Sequence, residues 1–334
     1  MKDKKILVIT HTGDNLSVDK VIQCIEEAGG SAVRFDVDRY PLETTLTSSF
    51  HDNQWSGLLH TPTGAHRLED VTAVWYRRSH GLGKGLQQTT APEYLPSMLG
   101  EIRHTLMGML EGLSCFQIER FSVYRRLDSK EEQLKMAVQN GLLIPATCIS
   151  NDPGQVKEFI RRQQGPVVTK MQSAFAIYQG DEEQVLFTTE ITANGMNDME
   201  AIRLCPMVFQ QKLEKKLELR VTIVGKALFA FSIDSQKLDN AKTDWRKEGR
   251  TMINDWQPYE LPILLQAQLL AFMDAYGLNY GAIDLILTPD GQYYFLEVNA
   301  AGEYFWLDRL CNYAISRQIA AVLMDDVPRR LPQV

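Results

Sequence analysis

Long hydrophobic runs are absent from this sequence. None approaches the roughly 20 residues that a membrane-spanning helix needs. The short run Ile6-Leu7-Val8-Ile9-Thr10, behind Met1-Lys2-Asp3-Lys4-Lys5, is too brief for a signal peptide and reads as a first strand. Cysteine is sparse: Cys24, Cys115, Cys148, Cys205 and Cys311 form no CxxC pair and meet no histidine at metal-ligand spacing. That excludes a disulfide scaffold and a zinc module, and fits buried thiols in a reducing cytoplasm. Positive charge is in deficit, with 35 Lys and Arg against 42 Asp and Glu, a net charge of −7. Such a balance argues against a general nucleic-acid binder. Internal repeats, low-complexity linkers and an evident Cys or Ser nucleophile motif are missing as well. The first loop, His11-Thr12-Gly13-Asp14-Asn15, lacks the glycine triplet of a dinucleotide site.

What remains is an ordinary globular balance, 44% hydrophobic and 23% charged over 334 residues. At roughly 150 residues per domain, this length predicts two domains or three small lobes around one ligand. Residues 6–10, a helical pattern over 17–28 stopped by Gly29-Gly30, and Ala32-Val33-Arg34-Phe35-Asp36 make a βαβ unit, hence a parallel sheet. Val71 to Tyr76 reads as a further buried strand. A long helix carrying Met98, Leu99, Ile102, Leu106, Met109 and Leu110 closes a first lobe, 1–124. A second lobe, 125–206, opens with a helix over 129–140 ended by Gly141 and continues through Ser150-Asn151-Asp152-Pro153, cap chemistry for another helix. Its strands are expected at 166–170 and 185–189. The third lobe, 207–334, is richer in strands, at 207–211, 218–224, 227–233, 282–287 and 293–298, with hairpin turns at 224–226 and 288–291. The fold class is α/β with an antiparallel α+β portion. Met98, Met107, Met109, Phe272 and Tyr276 are expected in the core.

The strongest chemical signal is Ala282-Ile283-Asp284-Leu285-Ile286 followed, after a turn, by Phe295-Leu296-Glu297-Val298-Asn299. Side chains alternate faces along a strand, so Glu297 and Asn299 point one way while Leu296 and Val298 point into the core. Asp284 joins the polar pair from the partner strand. Two carboxylates and an amide oxygen are hard donors suited to Mg²⁺ shared with substrate phosphates. Taken alone, the same alternation also describes an exposed polar hairpin face. Lys130 at a helix start and Lys170 at a strand end each read, in isolation, as solvated lysines. Val208-Phe209-Gln210-Gln211-Lys212-Leu213 is a strand running into a polar segment, and Glu218 and Arg220 share one face of the next strand.

Two lysines, a linking strand, an acidic-basic pair and then Asp…Glu-x-Asn resemble the layout of the ATP-grasp superfamily. Phe35-Asp36-Val37-Asp38-Arg39-Tyr40-Pro41, Val74-Trp75-Tyr76-Arg77-Arg78, Gly141-Leu142-Leu143-Ile144-Pro145, Asp244-Trp245-Arg246-Lys247-Glu248-Gly249-Arg250 and Gly302-Glu303-Tyr304-Phe305-Trp306-Leu307 resemble the microviridin-type peptide macrocyclases. These graspetide-modifying ligases are related to the glutamate-ligase branch, and the resemblance runs from about residue 4 to about residue 323. Asn299-Ala300-Ala301-Gly302 departs from the Asn-Pro-x-Gly expected there, which loses a rigid turn but no ligand.

The resemblance implies an ATP-grasp fold whose second lobe closes as a lid, with ATP and Mg²⁺ as cofactors and a precursor peptide, leader plus core, as partner. It implies Lys130 and Lys170 on phosphates, Gln211, Lys212 and Leu213 on adenine, Glu218 on ribose, and Asp284, Glu297 and Asn299 on the metal. Arg220 and Arg246 are expected near the reacting phosphate. Arg77, Arg78, Arg246 and Arg250 are candidates to clamp the acidic core of the peptide, guanidinium forks matching carboxylates; surface charge is the plainer alternative. The leader is expected on residues 189–203, where Asn194, Asn197, Asp198 and Glu200 surround Met196, Met199 and Ile202. An acidic rim beside exposed methionines suits an arginine-bearing amphipathic helix. The expected reaction joins Asp or Glu side chains to Lys amines or Ser and Thr hydroxyls, with the lactam slightly favoured. A ligase adding amino acids to a carboxylate shares every ATP-site residue, and an inactive nucleotide-binding module is the alternative from another class. A homodimer follows from base rates alone, and neither nucleic acid nor membrane is expected as a partner.

Overall fold

β1 (Lys5–Thr10) and β2 (Ser31–Asp36) flank α1 (Leu16–Glu27), and the two strands pair in parallel, as a βαβ unit requires. The computed structural model describes residues 4–172, 176–179, 182–185, 188–192, 195, 199–237 and 253–330, with the backbone alone described over 176–179 and 182–185. After β2 the chain forms an antiparallel meander of β3 (Thr45–His51), β4 (Gln54–Thr61) and β5 (Gly64–Arg67). It then returns to the first sheet as β6 (Ala73–Tyr76), α2 (Leu95–Gly112), β7 (Phe116–Ile118) and α3 (Phe121–Leu127). The order β2-β1-β6-β7 is parallel throughout. β6 is buried along its whole length, as a parallel strand covered on both faces must be.

The middle region holds α4 (Lys130–Gln139), β8 (Thr147–Ser150), α5 (Pro153–Arg162) and β9 (Val167–Lys170). It continues through β10 (Ala176–Gln179), β11 (Glu182–Val185), β12 (Thr189–Glu190), a 3₁₀ turn at Met199–Leu204 and β13 (Met207–Gln211). Ser129 caps α4 by accepting from the Glu132 N–H, and Asp152 caps α5 by accepting from Gly154 and Gln155. β13 pairs with both β8 and β9, so it belongs by hydrogen bonding to the middle sheet, β12-β9-β13-β8, although sequence order puts it at the head of the third lobe. The strand expected over 185–189 resolves into the end of β11 and the start of β12, with 186–187 outside the described residues.

β14 (Leu217–Val224), β15 (Ala227–Ile233), β16 (Gln257–Pro258), β17 (Tyr280–Leu287) and β18 (Tyr293–Asn299) build the last sheet, ordered β16-β15-β14-β17-β18. α6 (Ile263–Tyr276) packs on one face, with Leu265, Leu269, Phe272, Met273 and Tyr276 buried. A short α7 (Phe305–Asp308) leads to α8 (Ala314–Met324). α8 lies on α1 and β14, so one core joins Ile6, Val8 and Trp75 of the first sheet to Val224 and Phe231 of the last through Ile315, Ile319 and Leu323. Phe272 and Tyr276 are core residues, as expected, and Met107 and Met109 pack against the core of the first sheet. Met98 does not, being 37% exposed.

Candidate functional site

β17 and β18 position the acidic residues, and a bulge decides how. Asp284 pairs with Glu297 and Ala282 with Asn299, but Leu285 pairs with Phe295, leaving Leu296 as the extra residue. Without that insertion Asp284 would stand opposite Leu296. The bulge therefore brings the two carboxylates face to face and turns Leu296 toward the cavity instead of the core, correcting the strict alternation expected from sequence. Phe295 and Val298 are the residues of this strand that fill the core, at 0% and 2% exposed.

These side chains line a cavity of about 400 Å³ between the middle and last sheets. Lys170, Gln211, Lys212, Leu213, Glu218, Arg220, Asp284, Glu297 and Asn299 are all on its wall. Lys130, at the first turn of α4, reaches the site by donating from Nζ to Glu297 Oε2 at 2.5 Å. Arg220 donates from one nitrogen to both Asp284 oxygens, at 2.8 and 2.9 Å. Burial works against the Arg220 charge and the Asp284 carboxylate outweighs it, raising the guanidinium pKa above its ordinary value. Lys212 donates to Glu190 on β12 at 2.6 Å, and Lys215 to Glu218 at 3.0 Å. The Gln211 and Lys212 N–H groups are committed to the carbonyls of Ala146 and Pro166.

Asp284, Glu297 and Asn299 fit a magnesium ion by the chemistry of their donors. Among the described residues no cluster of three or more His, Cys, Asp or Glu forms an all-protein metal cage. Two carboxylates and an amide oxygen instead match an ion that keeps waters and shares its remaining positions with phosphate. Both carboxylates carry a cationic partner, so charge at the site is already balanced in pairs that phosphate and metal together can take over.

The basic residues assigned to peptide separate. Arg77 is 1% exposed and is bonded within the protein through both terminal nitrogens. It donates to the carbonyls of Ala301 (2.6 Å) and Gly302 (3.3 Å) and to Glu303 Oε2 (2.7 Å), with Asp14 Oδ2 3.5 Å from its Nε. This corrects its assignment as a peptide clamp, because a side chain so buried, with both terminal nitrogens bonded to the protein's own loop, presents no fork to a peptide. Arg78 is partly exposed and meets the same Glu303 oxygen at 2.8 Å. Glu200 is exposed and paired with Arg203 at 2.9 Å. Met199 and Ile202 are buried with Val156, Val167 and Phe209, which corrects the expectation of an exposed apolar face at these two positions. Arg246, Arg250, Asn194, Asn197, Asp198 and Met196 lie outside the described residues.

Glu303, Trp306 and Lys215 also line the cavity. The Gly302-Glu303-Tyr304-Phe305-Trp306 stretch signals Glu303 and Trp306 only as a motif without a role. Gly302 is required by space: a Cβ there would stand 2.5 Å from the Ala282 Cβ and 2.8 Å from an Arg220 nitrogen.

The comparisons with known proteins agree with this geometry. Residues 5–125 match the family described as the MvdD pre-ATP grasp domain. A RiPP-associated ATP-grasp ligase from Chryseobacterium gregarium, solved in complex with ADP and a leader and core peptide, is 47% identical with a TM-score of 0.95, covering 99% of both chains. The macrocyclase MdnC from Microcystis aeruginosa MRC, bound with precursor peptide MdnA, is 39% identical with a TM-score of 0.87, over 96% of this chain and 99% of its own. The macrocyclase MdnB from the same organism is 33% identical with a TM-score of 0.81 and the same coverage. The chain has no match among curated proteins. With near-complete coverage at these identities, the chain belongs to the ATP-grasp ligases of RiPP biosynthesis, in the microviridin-type macrocyclase group.

Proposed function

We propose that the protein closes rings in a ribosomally made precursor peptide at the expense of ATP. The observation that carries this reading is the single cavity gathering Lys170, Arg220, Asp284, Glu297 and Asn299, in a chain 47% identical to a ligase solved with ADP, leader and core. An Asp or Glu side chain of the peptide attacks the γ-phosphorus, ADP departs, and an acyl phosphate is left on the peptide. A hydroxyl or amine of the same peptide then attacks the acyl carbon. Phosphate leaves with the bonding electrons and the nucleophile loses its proton, giving an ester or amide.

In such a transfer the protein's work is positioning and charge neutralisation. Lys130 and Lys170 hold phosphate oxygens, and Arg220 supports the group in transit. Asp284, Glu297 and Asn299 hold Mg²⁺, which neutralises phosphate charge when bound. Glu218 meets the ribose, and a base reaching residues 211–213 meets them at Leu213 or at a carbonyl. The middle region, closing over the nucleotide, keeps water from the acyl phosphate. Arg78, Arg246 and Arg250 meet the acidic core, and Glu200 with Asn194, Asn197 and Asp198 meets the leader.

The test is incubation with Mg²⁺, ATP and the precursor peptide encoded beside the gene, followed by tandem mass spectrometry. Ring closure removes one water per ring, whereas an amino-acid-adding ligase raises the mass by a residue. An unchanged peptide mass would overturn both.

A further inference from the structure

The carbonyls of the loop directly after Glu297 and Asn299 are met by side chains from elsewhere in the fold. Tyr124 of α3, whose hydroxyl donates to Tyr76 O at 2.6 Å, also lies 3.2 Å from Ala300 O. Arg77, just beyond β6, donates to Ala301 O at 2.6 Å. Tyr280 of β17 donates to Gly302 O at 2.6 Å, and Arg220 of β14 to Glu303 O at 3.0 Å. From inside the loop, Asn299 Oδ1 accepts from the Ala301 N–H at 3.0 Å, an Asx turn. The Glu303 carboxylate takes Arg77 and Arg78 on one oxygen and the N–H groups of Tyr304 and Phe305 on the other. A proline would stiffen this turn by itself; with Ala300-Ala301 the stiffness must come from these outside contacts.

We propose that Arg77 is a positioning residue for the nucleotide-metal site, fixing the loop 300–303 and through it the attitude of Glu297 and Asn299. The inference rests on the proposed function, which supplies the metal. Arg77 is suited to the task because its planar fork spans two carbonyls and a carboxylate at once, which an ammonium cannot do. Among the described residues, its hydrogen bonds reach the cavity wall at Glu303, so its effect passes through the loop. Arg77 is anchored in turn by Asp14 at the C-terminal end of the first sheet, which ties the site to the amino-terminal region.

The test uses the full chain with Arg77→Lys, which keeps the charge and loses the fork, and with Tyr280→Phe, which removes one hydroxyl from the same loop without altering charge. Two readouts are needed: calorimetric ADP affinity across a magnesium titration, and hydrogen exchange of residues 299–305 in the ligand-free protein. Both variants should exchange this segment faster. Both should need roughly 10- to 100-fold more Mg²⁺ for the same ADP affinity, and saturating Mg²⁺ should restore most of the binding. A wild-type magnesium dependence in folded Tyr280→Phe and Arg77→Lys proteins would overturn the inference alone. If Arg77→Lys does not fold, Tyr280→Phe decides it. Wild-type protein that binds no magnesium nucleotide would overturn the proposed function and this inference together.

Discussion

Arg220 and Asp284 stand opposite each other in the register of β14 and β17, and a single guanidinium nitrogen spans both carboxylate oxygens. The same guanidinium reaches Glu303 O at 3.0 Å. On the proposed function, a metal taking Asp284 would release the arginine charge for phosphate.

Glu297→Gln tests the carboxylate role. The substitution keeps the shape and removes the charge that faces both Asp284 and Lys130. Turnover, followed as water loss from the precursor in a timed mass-spectrometric assay, should fall at least roughly 100-fold, while the melting transition shows the protein still folded. Near-normal cyclisation by folded protein would remove Glu297 from the metal site.

Lys170→Ala should weaken ATP binding by roughly 10- to 100-fold, the scale of one lost charge-assisted contact worth about 1.5–3 kcal/mol. Calorimetry at fixed Mg²⁺ measures it. Unchanged affinity would show that the lysine does not reach the nucleotide.

Glu119 lies away from the cavity, 2% exposed, with one oxygen accepting from the Asn279 and Tyr280 N–H groups at 2.6 and 2.8 Å. Burial pushes its carboxyl up from 4.5 to about 8. Between those two values the folded protein holds a proton that the unfolded chain has released, so stability falls as pH rises through this window and levels off above it. Glu119→Gln keeps an acceptor for the two N–H groups and removes the titration. Urea unfolding at pH 5.5 and pH 8.5 should show a loss of a few kcal/mol for wild type and a much smaller change for the variant. Parallel pH dependence in the two proteins would refute it.

Asp198→Lys with Glu200→Lys should weaken binding of a fluorescent leader peptide by roughly two- to tenfold. That is the range expected when exposed pairs worth up to about 1 kcal/mol are reversed. Anisotropy titration reads it, and a wild-type affinity in folded protein would place the leader elsewhere.

Local pattern made much of this molecule legible. The βαβ start, the capped helices after Ser129 and Asp152, and the two hairpins of the last sheet all follow from periodicity and turn chemistry. The meander at 45–67 does not, because most of its side chains are exposed and Leu59 is the buried residue of its central strand, leaving no clear alternation to read. α6 is apolar nearly all round, so no stripe marks its buried face. The grouping of Asp284, Glu297 and Asn299, proposed as metal donors, could be read because they sit on adjacent strands joined by a short turn. Arg77 could not, since its partners Ala301 and Glu303 lie 224 and 226 residues further on and a pair of arginines looks the same whether buried or solvated. The bulge at Leu296 was equally hidden: nothing in Phe-Leu-Glu-Val-Asn announces an extra residue.

The long separation between Arg77 and the loop it holds bears on how such enzymes can be recombined. A hybrid of amino-terminal and carboxy-terminal halves from different relatives would assemble its reaction centre only if both ends of this tie were inherited as a matched set. Crossovers placed anywhere between residues 78 and 300 split Arg77 from Ala301, Gly302 and Glu303. Libraries built by shuffling should therefore treat the Asp14-Arg77-Glu303 chain as one unit of exchange.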